Sequence, residues 1–240
     1  MTGFDKTRWS EKDYAYKYLE EADIYVIDRQ RLLAILKSFY NHFLGDKKQN
    51  KVLDLGCGDG ILTNELLKID GSISATLVDG SEDMLNKAKE RLVGFRNIRF
   101  IRASFQELLS TDIKLPDYRF TVSSLAIHHL TKDEKESFFN YIYSHLENGG
   151  YFINIDVILS PTEALEGWYL RLWQEWITEK KTLSALEGDY SYIIHNYQES
   201  GHYNKLDTLT GQLDVLRGAG FKNVDCFYKY GVFSIYGGKK

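Results

Sequence analysis

Three short stretches of this chain have residue types and spacings suited to chemistry on a small ligand. The first is Val52-Leu53-Asp54-Leu55-Gly56-Cys57-Gly58-Asp59-Gly60, an apolar run that breaks into alternating glycines. Glycine lets the backbone turn sharply and lets a ligand approach without meeting a Cβ atom, and a helix that follows offers free N–H groups to that ligand. The second is Leu77-Val78-Asp79-Gly80-Ser81, where an acid at a strand end is placed to accept both hydroxyl protons of a ribose. The third is the His128-His129 pair, which follows another apolar run; His129 is the candidate to line the site and, if the reaction needs one, to act as general base.

The spacing excludes two common phosphate sites. The glycines read G-x-G-x-G, which departs from the dinucleotide pattern, and no Gly-Lys-Ser or Gly-Lys-Thr follows them. Asp54 and Asp59 would repel a pyrophosphate but suit a cationic amino group. The two strand ends together describe a pocket for an adenosine with a positively charged amino-acid tail and no phosphate.

Elements must hold these residues at one edge. From Lys51 onward short apolar strands alternate with amphipathic helices, the pattern of a parallel sheet covered on both faces. Strands are predicted near Lys51–Leu55, Ser74–Val78, Ile98–Arg102, Phe120–Leu125 and Tyr151–Asn154, with helices near Ile61–Lys68, Glu82–Leu92, Phe105–Leu109 and Lys132–Leu146. Ser81 is a cap for the second of these helices, and Thr131 with Glu134 forms a capping box for the fourth. Upstream, Ser10 is expected to cap a first helix, and a single apolar stripe from Ile24 to Phe43 a second that stops at Gly45. Downstream, a helix over Leu206–Arg217 precedes an antiparallel pair, Val224–Tyr228 and Val232–Tyr236, around Gly231.

The glycine turn with Asp79 resembles the class I S-adenosylmethionine-dependent methyltransferases, over residues 50–158 and again over 207–238. The resemblance implies an α/β, three-layer Rossmann-like fold with a seven-stranded, mostly parallel sheet whose last strand is antiparallel. It implies S-adenosylmethionine as donor and S-adenosylhomocysteine as product. Gly56 and Gly58 would approach the methionine and adenosine, Asp54 would position the donor, and Asp79 would hold the ribose, with Cys57, Gly80 and Ser81 beside them. By the same resemblance Met84 packs on the adenine, Ser104 and Phe105 frame the ring, and Gln106 reads its edge. The segment from Ser123 to Leu130 is similar to the one that floors the donor pocket in small-molecule methyltransferases, bringing Leu125 and Ala126 to the donor. It lacks the Asn-Pro-Pro-Tyr or Asp-Pro-Pro-Tyr pattern of amino-methylating members, which points away from a base or amide acceptor.

The chain reads as one methyltransferase domain over 1–240, with an amino-terminal helical cap over 1–45 and an inserted cap over 157–205. In the insertion, Leu170, Trp173 and Ile177 share one helical side, with Trp176 beside them. That stripe packs a core, lines an apolar acceptor cavity, or does both. Trp168, Trp173 and Tyr197 from the insertion, with Tyr18 and Tyr25 from the amino-terminal cap, are the candidate acceptor contacts, and they could meet the sulfonium by cation–π contact. Arg29 or Arg31 could reach the donor carboxylate, Arg31 being preferred. His202 is a further acceptor candidate; with His195 and Glu199 it offers metal-ligand types, but the spacing matches no metal motif, so no metal is expected.

Charge and composition exclude several classes. Lys and Arg number 30 against 34 Asp and Glu, a net charge of -4, which leaves no long-range field to gather nucleic acid. Lys87, Lys89, Arg91, Arg96, Arg99 and Arg102 make at most a modest positive edge. No apolar run has the length of a signal peptide or membrane span, and the 2 cysteines suggest reduced thiols, so a cytoplasmic monomer or homodimer with no membrane partner is expected. The expected function is methyl transfer to a small, partly apolar or aromatic acceptor. Two alternatives stay open: modification of tRNA or another RNA, and a donor-binding protein that uses modified S-adenosylmethionine without methyl transfer.

Overall fold

The computed structural model describes residues 4, 7, 9, 11–183, 188–199 and 205–240, with the side chains of 12, 196, 198 and 199 outside that set. Seven strands form one sheet in the order β3-β2-β1-β4-β5-β7-β6. They are β1 (Lys51–Leu55), β2 (Ser74–Asp79), β3 (Ile98–Arg102), β4 (Tyr118–Ser124), β5 (Leu146–Val157), β6 (Lys222–Tyr230) and β7 (Phe233–Lys239). All neighbours pair in parallel except β7, which runs antiparallel to both β5 and β6. This is the expected sheet with its last strand reversed.

The pleat explains the three layers, because successive side chains of a strand face opposite sides. Val52, Leu77, Phe120 and Ile155 face one core, closed by α2 (Arg29–Phe43), α3 (Ile61–Ile69) and α4 (Glu82–Arg91). Leu53, Leu55, Val78 and Phe152 face the other, closed by α5 (Phe105–Ser110), α6 (Lys132–Ser144) and α9 (Leu209–Gly218). Ser81 accepts from Met84 N as a cap, and the Thr131–Glu134 capping box is formed. A second capping box, Ser104 with Glu107, starts α5.

Several boundaries differ from expectation. The stripe from Ile24 to Phe43 is interrupted: α1 (Lys12–Tyr25) ends as the chain turns, and Asp28 adopts a left-handed conformation (φ 49°) before α2. An apolar stripe alone does not register such a break, since the buried residues on either side keep facing the core. Ser10 lies outside the described residues, and α1 starts after Glu11, which makes no side-chain capping bond. The strand predicted over Tyr151–Asn154 runs to Val157, because β7 pairs along it from Tyr151↔Lys239 to Val157↔Phe233. The last helix begins at Leu209, where Thr208 accepts from Gly211 N (3.2 Å).

Between β5 and α9 the chain makes the excursion that carries α7 (Glu163–Leu183) and α8 (Tyr192–Glu199). Its two ends meet, with Leu159 N donating to the Asp207 carbonyl (3.0 Å). Among the described residues no helix is long and apolar enough to cross a membrane. The basic residues along the β2–β3 edge are partly neutralised: Arg102 pairs with Glu82, Lys87 with Glu90 and Arg91 with Asp59.

Candidate active site

The sheet order reverses between β1 and β4, and a crevice opens at the carboxyl ends of strands on either side of such a switch point. Here it is a cavity of about 550 Å³, within the usual range for small-molecule sites. The β1–α3 turn forms its base. Gly56, Gly58 and Gly60 all have positive φ (65°, 53° and 76°). A Cβ on Gly56 would lie 2.4 Å from the Ala126 Cβ, so glycine allows β1 and the β4 end to close together. At Gly58 no atom lies within 4 Å of such a Cβ, and the residue lines open cavity.

Asp79 is held by the backbone: Gly58 N donates to Oδ2 (2.9 Å) and Ser81 N to Oδ1 (2.8 Å). Burial raises its pKa while these two bonds lower it, and the remaining lone pairs are free for a vicinal diol.

Asp54 is only 1% exposed. Thr63 Oγ1 donates to its Oδ2 (2.7 Å), while Oδ1 is buried without a partner. Burial pushes its pKa up to about 7, opposed by the Thr63 bonds and reinforced by Asp79 and Asp59. An ammonium at Oδ1 would complete the carboxylate. Asp59, read from the sequence as a second such acid, is instead paired with Arg91. Burial raises the Cys57 thiol pKa, so this cysteine is wall and not nucleophile.

Met84, Ser104, Phe105 and Gln106 stand together at the next part of the wall, with Gly80 and Ser81. The Ser104 hydroxyl is engaged in its capping box. Gln106 Nε2 donates to Glu134 Oε1 (3.0 Å), which leaves its carbonyl oxygen for a ligand donor. Leu125 and Ala126 form the floor, and Leu125 has a left-handed backbone (φ 51°), strain of the kind that clusters at functional sites.

The two histidines do different things. His128 Nδ1 lies 2.5 Å from Asp156 Oδ1, and the same carboxylate accepts from His128 N (3.1 Å), Asn154 Nδ2 (3.2 Å) and Val157 N (3.0 Å). A carboxylate so supplied with donors fixes the imidazole with its proton on Nδ1, as the hydrogen bonding requires. His129 Nε2 instead accepts from Trp9 Nε1 (2.8 Å). The residue preferred from the sequence therefore has its ring nitrogen engaged by the amino-terminal segment, and its neighbour holds the carboxylate-braced position.

That segment roofs the cavity. Phe4 packs where a Gly80 Cβ would be, and Trp9 meets Tyr14 and Tyr18 edge to face. From Tyr18 a file of edge-to-face rings continues through Tyr25 and Trp173 to Tyr197 (centroids 5.4, 5.6 and 5.4 Å apart). Burial raises the Tyr18 and Tyr25 phenol pKa values, which keeps both hydroxyls neutral. Trp173 is fully buried and donates from Nε1 to the Tyr25 carbonyl (2.9 Å), so it joins α7 to the end of α1 and lines the cavity at once.

Two expected contacts fall elsewhere. Trp168 is 53% exposed and lies outside the cavity wall, its ring beside Tyr169. Arg31 is exposed and not on the wall; Arg29 lines it and pairs with Asp23 (2.8 Å). Two residues of helical phase, about 200°, decide this, because both arginines lie in the first turn of α2. His202 lies outside the described residues, as does the Glu199 side chain; among those described no cluster of His, Cys, Asp or Glu could hold a metal.

Sequence reasoning missed Asp156, Trp9 and Phe4. None carried a local signal: Asp156 meets His128 only through the β4–β5 register, with Ser124 opposite Ile155.

A sheet of this order, with a glycine turn and an acid at the next strand end opening on one cleft, has the layout of the doubly wound α/β folds that bind ligands at the switch point. Residues 52–150 match the family described as methyltransferase domain. A carboxy-S-adenosyl-L-methionine synthase of Nautilia profundicola is 23% identical over 211 residues, 81% of this chain and 78% of that protein. A malonyl-[acyl-carrier protein] O-methyltransferase of Ilyobacter polytropus is 30% identical over 106 residues, 44% of this chain and 37% of that protein. An O-methyltransferase family protein from Burkholderia thailandensis superposes with a TM-score of 0.67 at 12% identity, covering 98% of this chain and 62% of that one. Residues 52–150 thus carry the methyltransferase-domain match, and the chain as a whole shares the fold of that structure.

Proposed function

We propose that this chain moves the methyl group of S-adenosylmethionine to a small, partly apolar or aromatic acceptor, with His128 as general base. The donor fits the residues present: Asp79 for the ribose hydroxyls, the orphaned Asp54 oxygen for the ammonium, Arg29 for the carboxylate and Met84 with Phe105 for the adenine. When bound, the donor supplies an already activated methyl on a sulfonium, so that alignment and exclusion of water do much of the catalysis.

The observation that carries the reading is that His128, braced by Asp156, lines the same cavity as that cradle. With Nδ1 held by Asp156, the Nε2 lone pair is left to take the acceptor's proton as its heteroatom bonds the methyl carbon. Asp156 would stabilise the imidazolium so formed, and the donor, when bound, would give up its methyl and leave as a neutral thioether. The roof of Phe4, Trp9 and the tyrosines excludes water. Residues 1–45 and 157–205 then act as caps of a single catalytic domain, and the reaction is placed in the cytoplasm.

A second reading rests on the similarity to carboxy-S-adenosyl-L-methionine synthases, which extends over most of both chains. Their name describes a change to the donor itself. Product mass separates the two when the protein is incubated with methyl-labelled donor and a metabolite extract. Methyl transfer adds about 14 mass units to an acceptor and yields S-adenosylhomocysteine, with a loss of about 100-fold or more in His128→Asn. A donor heavier by about 44 mass units, with no labelled acceptor, would replace methyl transfer by donor carboxylation. Label incorporated only into added RNA would establish the RNA reading.

A further inference from the structure

Phe4 stands beside Asp79, the acid assigned to the ribose. A Cβ built on Gly80 would lie 2.6, 2.7 and 2.8 Å from Cδ2, Cε2 and Cγ of the Phe4 ring. Three adjacent ring carbons so nearly equidistant from one point mean that Gly80 meets the face of the ring, since an approach to the rim would leave the middle carbon much closer than its neighbours. Any side chain at position 80 would displace the ring. The residue after Asp79 therefore brings no side chain to the cavity, and a ring from the amino-terminal segment takes that place.

Two anchors hold the ring there. Thr7 N and Thr7 Oγ1 both donate to the Phe4 carbonyl (2.8 Å each), which folds the segment into a short turn. Beyond the turn, Trp9 donates to His129 Nε2 and packs edge to face on Tyr14 and Tyr18. In a nucleoside the base is carried by the carbon beside the two ribose hydroxyls, so a base whose ribose is held at Asp79 lies against the residues that follow this acid. Phe4, Gly80, Ser81 and Met84 all line the cavity. The Ser81 hydroxyl is already engaged as a cap, accepting from Met84 N (3.3 Å), and Met84 is only 3% exposed. Across the cleft the Phe105 ring lies against Phe138, with centroids 4.4 Å apart. Phe4 is half-buried and keeps ring surface for a ligand. Every base has a π-face that gains from such an aromatic contact.

We propose that Phe4 is the aromatic contact for the base of the nucleoside held at Asp79, supplying from the amino-terminal segment the side chain that Gly80 lacks. This rests on the donor reading of the cleft and not on methyl transfer. The cleft then takes its nucleoside only with the segment in place, because one wall of the base site comes from outside the sheet.

The test titrates the full chain by calorimetry with S-adenosylhomocysteine and with 5′-methylthioadenosine, which share base and ribose and differ at the amino-acid end. Phe4→Ala is expected to weaken both ligands by the same factor, about tenfold. Phe4→Trp should stay within about threefold of the wild type for both. Gly80→Ala probes the seat of the ring: it should weaken both ligands by at least about fivefold in the wild-type background and by under about twofold in the Phe4→Ala background. Unchanged affinity in Phe4→Ala, beside a wild type that binds, overturns the proposal and leaves the donor reading standing. Tighter binding overturns it too, since the ring would then occupy the place of the base. So does a loss confined to S-adenosylhomocysteine, which would assign the segment to the amino-acid end, or an equal cost of Gly80→Ala in both backgrounds. A wild type that binds neither ligand overturns the donor reading itself, and the proposal with it.

Discussion

Donor binding should release a proton from Asp54. Its carboxyl titrates at about 7 in the free protein because it is buried with Oδ1 unpartnered, so below neutrality it is mostly protonated and cannot pair with the donor's ammonium. With a midpoint of about 7, about 1% of the protein is ionised at pH 5 and half at pH 7, which makes donor affinity about 50-fold weaker at pH 5, or ~2.3 kcal/mol. At about pH 6, calorimetry in buffers of different ionisation enthalpy should count about 0.9 proton released per donor bound. S-adenosylhomocysteine, which keeps the amino-acid end, is the ligand for this measurement, and 5′-methylthioadenosine, which lacks it, is the control. Asp54→Asn should weaken S-adenosylhomocysteine at neutral pH and abolish both the pH dependence and the proton release. The same shift fixes the sign for stability. The folded pKa lies above the unfolded value of 3.8, so the stabilising contribution is complete below that value and is lost as pH rises through about 7. Asp54→Asn should therefore leave the free protein more stable at pH 8, by up to about 4 kcal/mol, with no difference near pH 3. A wild-type affinity that is flat from pH 5 to 7, or the same slope for 5′-methylthioadenosine, would refute the assignment of Oδ1 to the ammonium.

Three further changes test other parts of the site. Gly56→Ala places a Cβ 2.4 Å from Ala126 at a φ of 65°; a loss of at least about 2 kcal/mol in urea unfolding is expected, together with a larger loss of donor affinity. Trp173→Ala empties a fully buried site between Tyr25, Tyr197 and Phe233; a cost of about 3–5 kcal/mol in the same assay would show that it holds the caps together, and a cost under about 1 would refute that. Asn154→Leu removes a donor from Asp156 and leaves the buried Tyr236 hydroxyl without its 2.8 Å partner. A cost of about 1–3 kcal/mol in urea unfolding is expected, and a cost under about 0.5 would remove Asn154 from the network.

The sequence alone determined the sheet, the glycine turn and the placing of Asp54 and Asp79, because each depends on short-range features. Alternating apolar residues choose the strand faces, glycines permit the positive φ values of the turn, and an acid at a strand's last residue stands at the sheet's edge whatever packs on it. The Ser81 cap and the Thr131–Glu134 capping box were legible for the same reason. Only the tertiary structure decided which histidine meets a carboxylate. His128 lies in the short 3-10 turn after β4 and Asp156 near the end of the neighbouring β5, so their contact depends on the β4–β5 register, with Ser124 opposite Ile155. It also decided that Asp59 is neutralised by Arg91, that Trp9 engages His129, that Arg29 and not Arg31 reaches the wall, and that Phe4 covers Gly80. Charge partners and the phase of a helix against a cleft join residues far apart along the chain, and no local pattern encodes those distances.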